Sequence, residues 1–200
     1  MPIPLDAAAL GRVVRAGGVP GALADQNAEA LLETFGHYEI NTLNRMGHFL
    51  AQVLVESGRL KYREEIASGS AYEGRKDLGN VEAGDGRRFK GRGFIQLTGR
   101  ANYKAYGETL QTGGTKNWDV VTTPTLVGTD FCSDSAGYFW NREKLNLEAD
   151  KGDGIVNVQR ISRAVNRGNP NSAKPANGEG DRIDSFRKVM AQLRKEGVTA

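Results

Sequence analysis

Between Asn44 and Glu65 the segment NRMGHFLAQVLVESGRLKYREE repeats its apolar residues with the period of a helix. Met46, Phe49, Leu50, Val53 and Leu54 fall at i, i+3, i+4, i+7 and i+8, which predicts one buried stripe. Glu56 follows Phe49 by two helical turns, so its carboxyl returns almost onto that stripe. An acid in such a place is costly unless it is paired with a cation or kept protonated. Ser57-Gly58 then break the pattern, and Glu64-Glu65 follow. On one unbroken helix Glu56 and Glu65 would stand roughly 13 Å apart on opposite faces. A helix that ends at Gly58 lets the chain turn back, so that the two carboxyls face each other across a cleft.

The same periodicity predicts short helices over 5–14 and 27–35, separated by a turn at Gly17-Gly18-Val19-Pro20-Gly21. Residues 67–93 are glycine-rich and polar, with Tyr72, Arg75, Arg87, Arg88, Phe89, Lys90 and Arg92 interleaved, as in the structured wall of a cleft. Phe94 to Leu97 reads as a short extended piece, and Thr98 as the N-cap of a helix running to Tyr106. Residues 109–125 read as a loop containing Trp118. A helix around Cys132 follows, marked by Phe131, Ser135, Tyr138 and Phe139 and extended by Trp140. Asp150 and Asp153 read as caps for a helix carrying Val158, Ile161 and Val165, which ends at Asn166-Arg167-Gly168. A polar, mobile-looking loop over 169–180 leads to Asp181, the expected cap of a last amphipathic helix. About seven helical segments and no convincing set of strands make the fold class mainly α, with at most a small β-hairpin.

Two hundred residues suffice for one domain, or one domain split into two lobes by a cleft. A net charge of +3 is a mild basic bias that suits an anionic polymer without specifying one. Cys132 is the sole cysteine, which excludes an intrachain disulfide and a cysteine-based metal cluster, and its aromatic setting favours a buried structural thiol. No stretch approaches the length of a membrane span, and the N-terminus lacks the apolar run of a signal peptide. The expectation is a protein synthesised in the cytoplasm.

The chemistry narrows by exclusion. His37 and His48 lack zinc-protease spacing, and Asp150 with Asp153 are too few ligands for a calcium loop, so no metal and no cofactor are expected. Ser57 stands outside any nucleophile elbow. The glycines of the 67–93 loop fit neither a phosphate-binding loop nor a dinucleotide fingerprint. Basic residues beside aromatics suit nucleic acid, but no nucleic-acid-binding motif accompanies them, so no such partner is expected. Trp118 and Trp140 fit either sugar stacking or the core. There remain two carboxylates in unlike settings, the pattern of glycoside hydrolysis, weighed against a structural Glu56 merely paired with an arginine.

In this order, HFLAQVLVESG, YREE, GRRFKGRGFIQLTGRANY, AVNRG and GDRIDSFR closely resemble glycoside hydrolase family 19, in its compact bacterial and phage branch of chitinases and peptidoglycan-cleaving endolysins. The resemblance covers about residues 44–190, and GRGxIQLTGxxNY is its most specific part. It implies a lysozyme-like, two-lobed helical domain with a central cleft, and a single catalytic domain over 1–200 without a separate wall-binding domain. Glu56 would be the general acid and Glu65 the general base, with Glu64 and Glu73 as rivals for the second role. Gln96 and Thr98 match positions that hold substrate and the attacking water, while Asn102, Tyr103, Asn166 and Arg182 match positions lining the same cleft. The family inverts anomeric configuration, which requires carboxyls about 6.5–9.5 Å apart.

Three departures stand out: Val55 replaces a histidine that many members carry before the acid, Arg59-Leu60 replaces a glycine-aromatic pair, and Asn166-Arg167-Gly168 replaces Asn-Gly-Gly ahead of an insertion-like loop. The expected activity is an endolysin's, cutting β-1,4 bonds of peptidoglycan in the periplasm as a monomer. It would not insert into membrane, and would reach the wall through a separate membrane-permeabilising protein. A chitinase is the alternative within the class, and a catalytically inactive glycan-binding module the alternative outside it.

Overall fold

The computed structural model describes residues 4–112 and 118–199, with backbone only at 111 and 112. Among them are ten α-helical segments in chain order: α1 Ala7–Ala16, α2 Gly21–His37, α3 Leu43–Glu56, α4 Asp85–Arg88, α5 Arg100–Thr112, α6 Leu126–Thr129, α7 Cys132–Arg142, α8 Leu145–Ala149, α9 Ile155–Arg167 and α10 Glu179–Lys195. Two 3₁₀ turns, Ser70–Tyr72 and Lys76–Leu78, precede α4. Strand pairing among the described residues is limited to the isolated antiparallel bridges Glu64 to Arg92 and Arg92 to Leu97, less than a hairpin. The mainly α expectation holds. The chain forms two compact units, one of Met1–Lys61 with Phe139–Ala200, the other of Tyr62–Tyr138.

In the first unit α3 is central. Thr42 caps it by accepting from the Arg45 N–H, and Met46, Phe49, Leu50, Val53 and Leu54 are all fully buried. Phe49 meets Phe35 and Trp140 edge to face at 5.8 and 5.4 Å, so Trp140 belongs to the core and is closed to sugar stacking. Helix α10 crosses α3 at Gly47, where a Cβ would fall 2.2 Å from Met190 Sδ; only glycine lets the helices approach this far.

Glu56 is the last residue of α3. The reversal that follows places Gly58, Arg59 and Leu60 successively at φ 57, 64 and 64°, a left-handed run in which only one residue is glycine. Such backbone is unfavourable for Arg and Leu. It is held by Arg59 N–H donating to Leu54 O at 2.7 Å, by Leu60 N–H donating to Ser57 Oγ at 2.8 Å, and by burial of the Leu60 side chain.

Gly168, at φ 68°, closes α9 as its position predicts. The expected aspartate caps are not used. Asp150 and Asp153 instead pair with Arg45 and Arg194, and α9 starts at Gly154 without a side-chain cap. Likewise α10 begins two residues before Asp181, from left-handed Gly178, and Asp181 pairs with Arg59. In each case a cation from a distant segment captures the carboxylate.

In the second unit the glycine-rich stretch is tied to α5. Asp85, almost wholly buried, accepts twice from Arg100, and Asn80 accepts from the Arg100 N–H while donating to Tyr72 O. Residues 94–97 are a tight turn rather than an extended piece. Gly93 N–H donates to Arg63 O, Phe94 N–H to Cys132 O, and Gln96 takes φ 54°, which ends any strand there. Helix α5 runs on to Thr112, past the expected stop at Tyr106, and Gly107 gives Val120 room to pack against it. Part of the loop expected over 109–125 is therefore helix, and its residues 113–117 lie outside the described ones. Cys132 is buried with Sγ on Gly128 O, and burial pushes its thiol up to about 11, the setting of an inert structural cysteine.

Candidate active site

The two candidate carboxylates lie in different units, and each has its own supporting group. Around Glu56 the chief partner is Arg182, on the first turn of α10, with only 2% of its side chain exposed. Its Nη2 donates to Glu56 Oε1 at 2.5 Å, Nη1 to Gln52 Oε1 at 2.6 Å, and Nε to the carbonyl of Asn177 at 3.1 Å. Gln52 lies one turn before Glu56, so both face Arg182 from the same side of α3. Its amide donates onward to Ser162 Oγ on α9. Pairing with a cation thus answers the cost of an acid at the edge of an apolar stripe. Asn166 is linked to Arg182 through Asn177: its Oδ1 accepts from the Asn177 N–H, and the Asn177 carbonyl accepts from Arg182 Nε.

The donors to the Glu65 carboxylate are neutral, while Lys90 Nζ donates to its backbone carbonyl at 3.0 Å. Tyr72 Oη donates to Oε1 and Gly91 N–H to Oε2, both at 3.1 Å, while the Glu65 N–H donates back to Gly91 O at 2.8 Å. Burial, then the bond to Glu65, raise the Tyr72 phenol above its usual range and keep it a donor. A Cβ on Gly91 would lie 2.7 Å from Gln96 Oε1 and 3.3 Å from Glu65 Oε2, so glycine there lets the Gln96 amide and the Glu65 carboxylate share one surface. Left-handed Gln96 turns its Nε2 onto Gly93 O. Thr98 Oγ1 donates to Gln96 O, and Asn102 Nδ2 to Thr98 O, so these side chains also fix the turn.

The rival glutamates have other bonds. Glu64 meets Lys90 at 2.7 Å and Arg92 at 3.3 Å. Burial would raise its carboxyl, but the two cations outweigh this and hold it below the usual range. Glu73 accepts from the N–H groups of Gly84 and Gly86, fixing the approach to α4. Tyr103 is fully buried; its hydroxyl donates to Lys90 O and accepts from Arg92 Nη1, and burial pushes the phenol up to about 12. It supports the GRG segment from inside the core rather than offering a surface to substrate.

Gln52, Ser162 and Asn177 escaped the sequence reading, and Tyr72 entered it only as part of a wall. A polar residue one turn before the acid, in the otherwise apolar AQVLVE, was the available signal for Gln52. Trp118 is half-buried, edge to face with Phe131.

This helical scaffold is shared with a solved chitinase. It superimposes on chitinase C from Streptomyces griseus with a TM-score of 0.68, covering 98% of this chain and 78% of that one at 19% identity, and on a chitinase C mutant with a TM-score of 0.63. No family model matches the chain. It is 25% identical over 128 residues to a glycosyl hydrolase family 19 domain-containing protein of Haemophilus influenzae, spanning 64% of this chain and 54% of that protein. It is 31% identical over 149 residues to an endochitinase of Arabidopsis thaliana, spanning 74% of this chain and 48% of that protein. The chain is a homologue of glycoside hydrolase family 19 proteins, and spans about half the length of the curated relatives it matches.

Proposed function

We propose that this chain is an inverting glycoside hydrolase that cuts β-1,4 bonds between N-acetylated hexosamines, with Glu56 as general acid and Glu65 as general base. The observation that supports this reading is the contrast between the two carboxyl groups: a buried guanidinium meets that of Glu56, while a phenol and a backbone N–H, both neutral, hold that of Glu65. In the proposed reaction Glu56 gives a proton to the glycosidic oxygen as the C1–O bond breaks. Arg182, already bonded to Glu56 Oε1, stabilises the carboxylate that the proton transfer leaves. A water attacks C1 from the opposite face and loses its proton to Glu65, so the product carries inverted configuration. Tyr72 and Gly91 orient Glu65 without neutralising it, and Gln96 beside Gly91 is suited to holding the water.

The proposed polymer is bacterial peptidoglycan and the proposed role that of an endolysin reaching the wall through a separate membrane-permeabilising protein. The net charge of +3 supports an anionic polymer. Chitin is the second reading, favoured by the endochitinase and chitinase names of the relatives. Purified protein is to be incubated with isolated peptidoglycan and with chitin, and the fragments weighed by mass spectrometry and their anomers followed by NMR. Sugar fragments released as the α-anomer are expected; peptide fragments alone, or no product from either polymer, refute the hydrolase.

A further inference from the structure

The 169–180 loop looks mobile in sequence, yet it is fastened at the end that leads into α10. Arg167, which stands where the family resemblance leads one to expect glycine, donates Nε and Nη2 to Pro175 O at 3.2 and 3.0 Å, and Nη2 also to Asn177 Oδ1 at 2.7 Å. Asn166 accepts the Asn177 N–H at 2.8 Å, Ala176 is buried, and its N–H donates to Glu179 Oε2 at 3.2 Å. Asn177 is thus gripped at its side chain and its amide, leaving its carbonyl aimed at Arg182 Nε. Arg182 in turn holds Glu56. The acceptors of the Arg167 guanidinium are both neutral, so the residue acts here through its planar fork rather than through an ion pair.

We propose that Arg167 is a positioning residue: by clamping Pro175 and Asn177 it sets the Asn177 carbonyl that orients Arg182, and so the carboxyl of Glu56. The proposal rests on the reading of Glu56 as general acid, but the clamp is also observable without turnover. Small displacements of a reacting group are costly to rate. Arg167→Ala is therefore expected to lower kcat roughly tenfold with KM little changed, and to shift the limb of the pH-rate profile that reports the acid. Arg167→Lys, which lacks the fork, should recover only part of the rate. An increase in KM at unchanged kcat, or full recovery with lysine, overturns the proposal in favour of a substrate contact or a simple charge effect. Independently, NMR exchange of the Arg182 Nε–H should quicken severalfold in Arg167→Ala while helix amides of α9 stay protected. Unaltered Arg182 exchange refutes the clamp whether or not the protein cleaves a glycan. Absence of turnover in the unaltered protein, with quickened exchange in the variant, leaves the clamp standing and refutes the hydrolase reading alone.

Discussion

Arg182 and Glu56 are 126 residues apart in sequence and 2.5 Å apart in space. Arg182 has 2% of its side chain exposed and Glu56 21%, so one partner is fully desolvated and the other retains some access to solvent. A desolvated guanidinium without its carboxylate is costly, and Gln52 and Asn177 supply only neutral acceptors. Glu56 therefore has a structural duty alongside the proposed chemical one, and its variants have to be read on both scales.

Glu56→Gln keeps an acceptor for Arg182 Nη2 but cannot donate an acidic proton. It is expected to abolish turnover while lowering stability by about 1–2 kcal/mol, the scale of a charged hydrogen bond replaced by a neutral one. Glu56→Ala leaves Arg182 without its carboxylate and should cost about 3 kcal/mol or more. Chemical denaturation beside the activity assay checks both; equal destabilisation by Gln and Ala would contradict the pairing.

Among the three neighbouring glutamates, only Glu65 should matter greatly to rate. Glu65→Gln is expected to lower kcat by about two to four orders of magnitude, the usual worth of a general base. Glu64→Gln disturbs ion pairs at a side chain 42% exposed and should change stability by less than about 1 kcal/mol. Glu73→Gln should loosen 82–88 and leave most of the rate. Kinetics of the three variants on one substrate decide, and a dominant loss at Glu64 or Glu73 would move the base there.

Gly91→Ala tests the close approach of Gln96 and Glu65. The added methyl would press on Gln96 Oε1, 2.7 Å away, and on Glu65 Oε2. A fall in kcat of roughly tenfold or more is expected. A crystal structure of the variant should show Gln96 displaced. Unchanged kinetics with Gln96 in place would mean that this amide does not contribute.

His48 predicts a dependence of stability on pH. Burial between α3 and α10, where it stacks on Phe186 at 4.4 Å, pushes its imidazole below the ordinary range; the Gly152 carbonyl and the Asp153 charge oppose this only in part. Its Nδ1 is buried without a partner, so the charged form has nowhere to place its second proton. The unfolded chain binds that proton more readily than the folded one. The stabilisation is therefore complete above the ordinary value of 6.5 and lost as pH falls below it toward the folded-state value. Tm should decline from pH 7 to pH 5, and His48→Gln, which keeps a donor for Gly152 O, should flatten that decline. An equal slope in both proteins would assign it to other groups.

The stripe Met46, Phe49, Leu50, Val53 and Leu54 was legible because a helix burying one face must repeat its apolar residues with its own period. The stop after Glu56 was legible in Gly58, and the end of α9 in Gly168. Asp150, Asp153 and Asp181 read as caps because capping is local, while the arginines that take them come from distant segments. The left-handed backbone of Arg59, Leu60 and Gln96 contradicts the preferences of those residues and is imposed by bonds made elsewhere in their units. For the candidate site, the motif resemblance marked positions, but not the buried place of Tyr103 or the course of the bonds from Gln52 through Arg182 to Glu56.

The second unit is one continuous run, Tyr62–Tyr138, inserted between the two pieces of the first. During synthesis the ribosome completes that run, with Glu65 in it, well before α10 exists. Helix α3 must wait for α10 to cover its Gly47 face and to deliver Arg182. Long waits of this kind slow folding, because a large loop has to close before its contacts repay the lost chain freedom. The nascent chain thus leaves Glu56 without its buried cation until α10 is made, and α10 acts as a timer on when that pairing can first form.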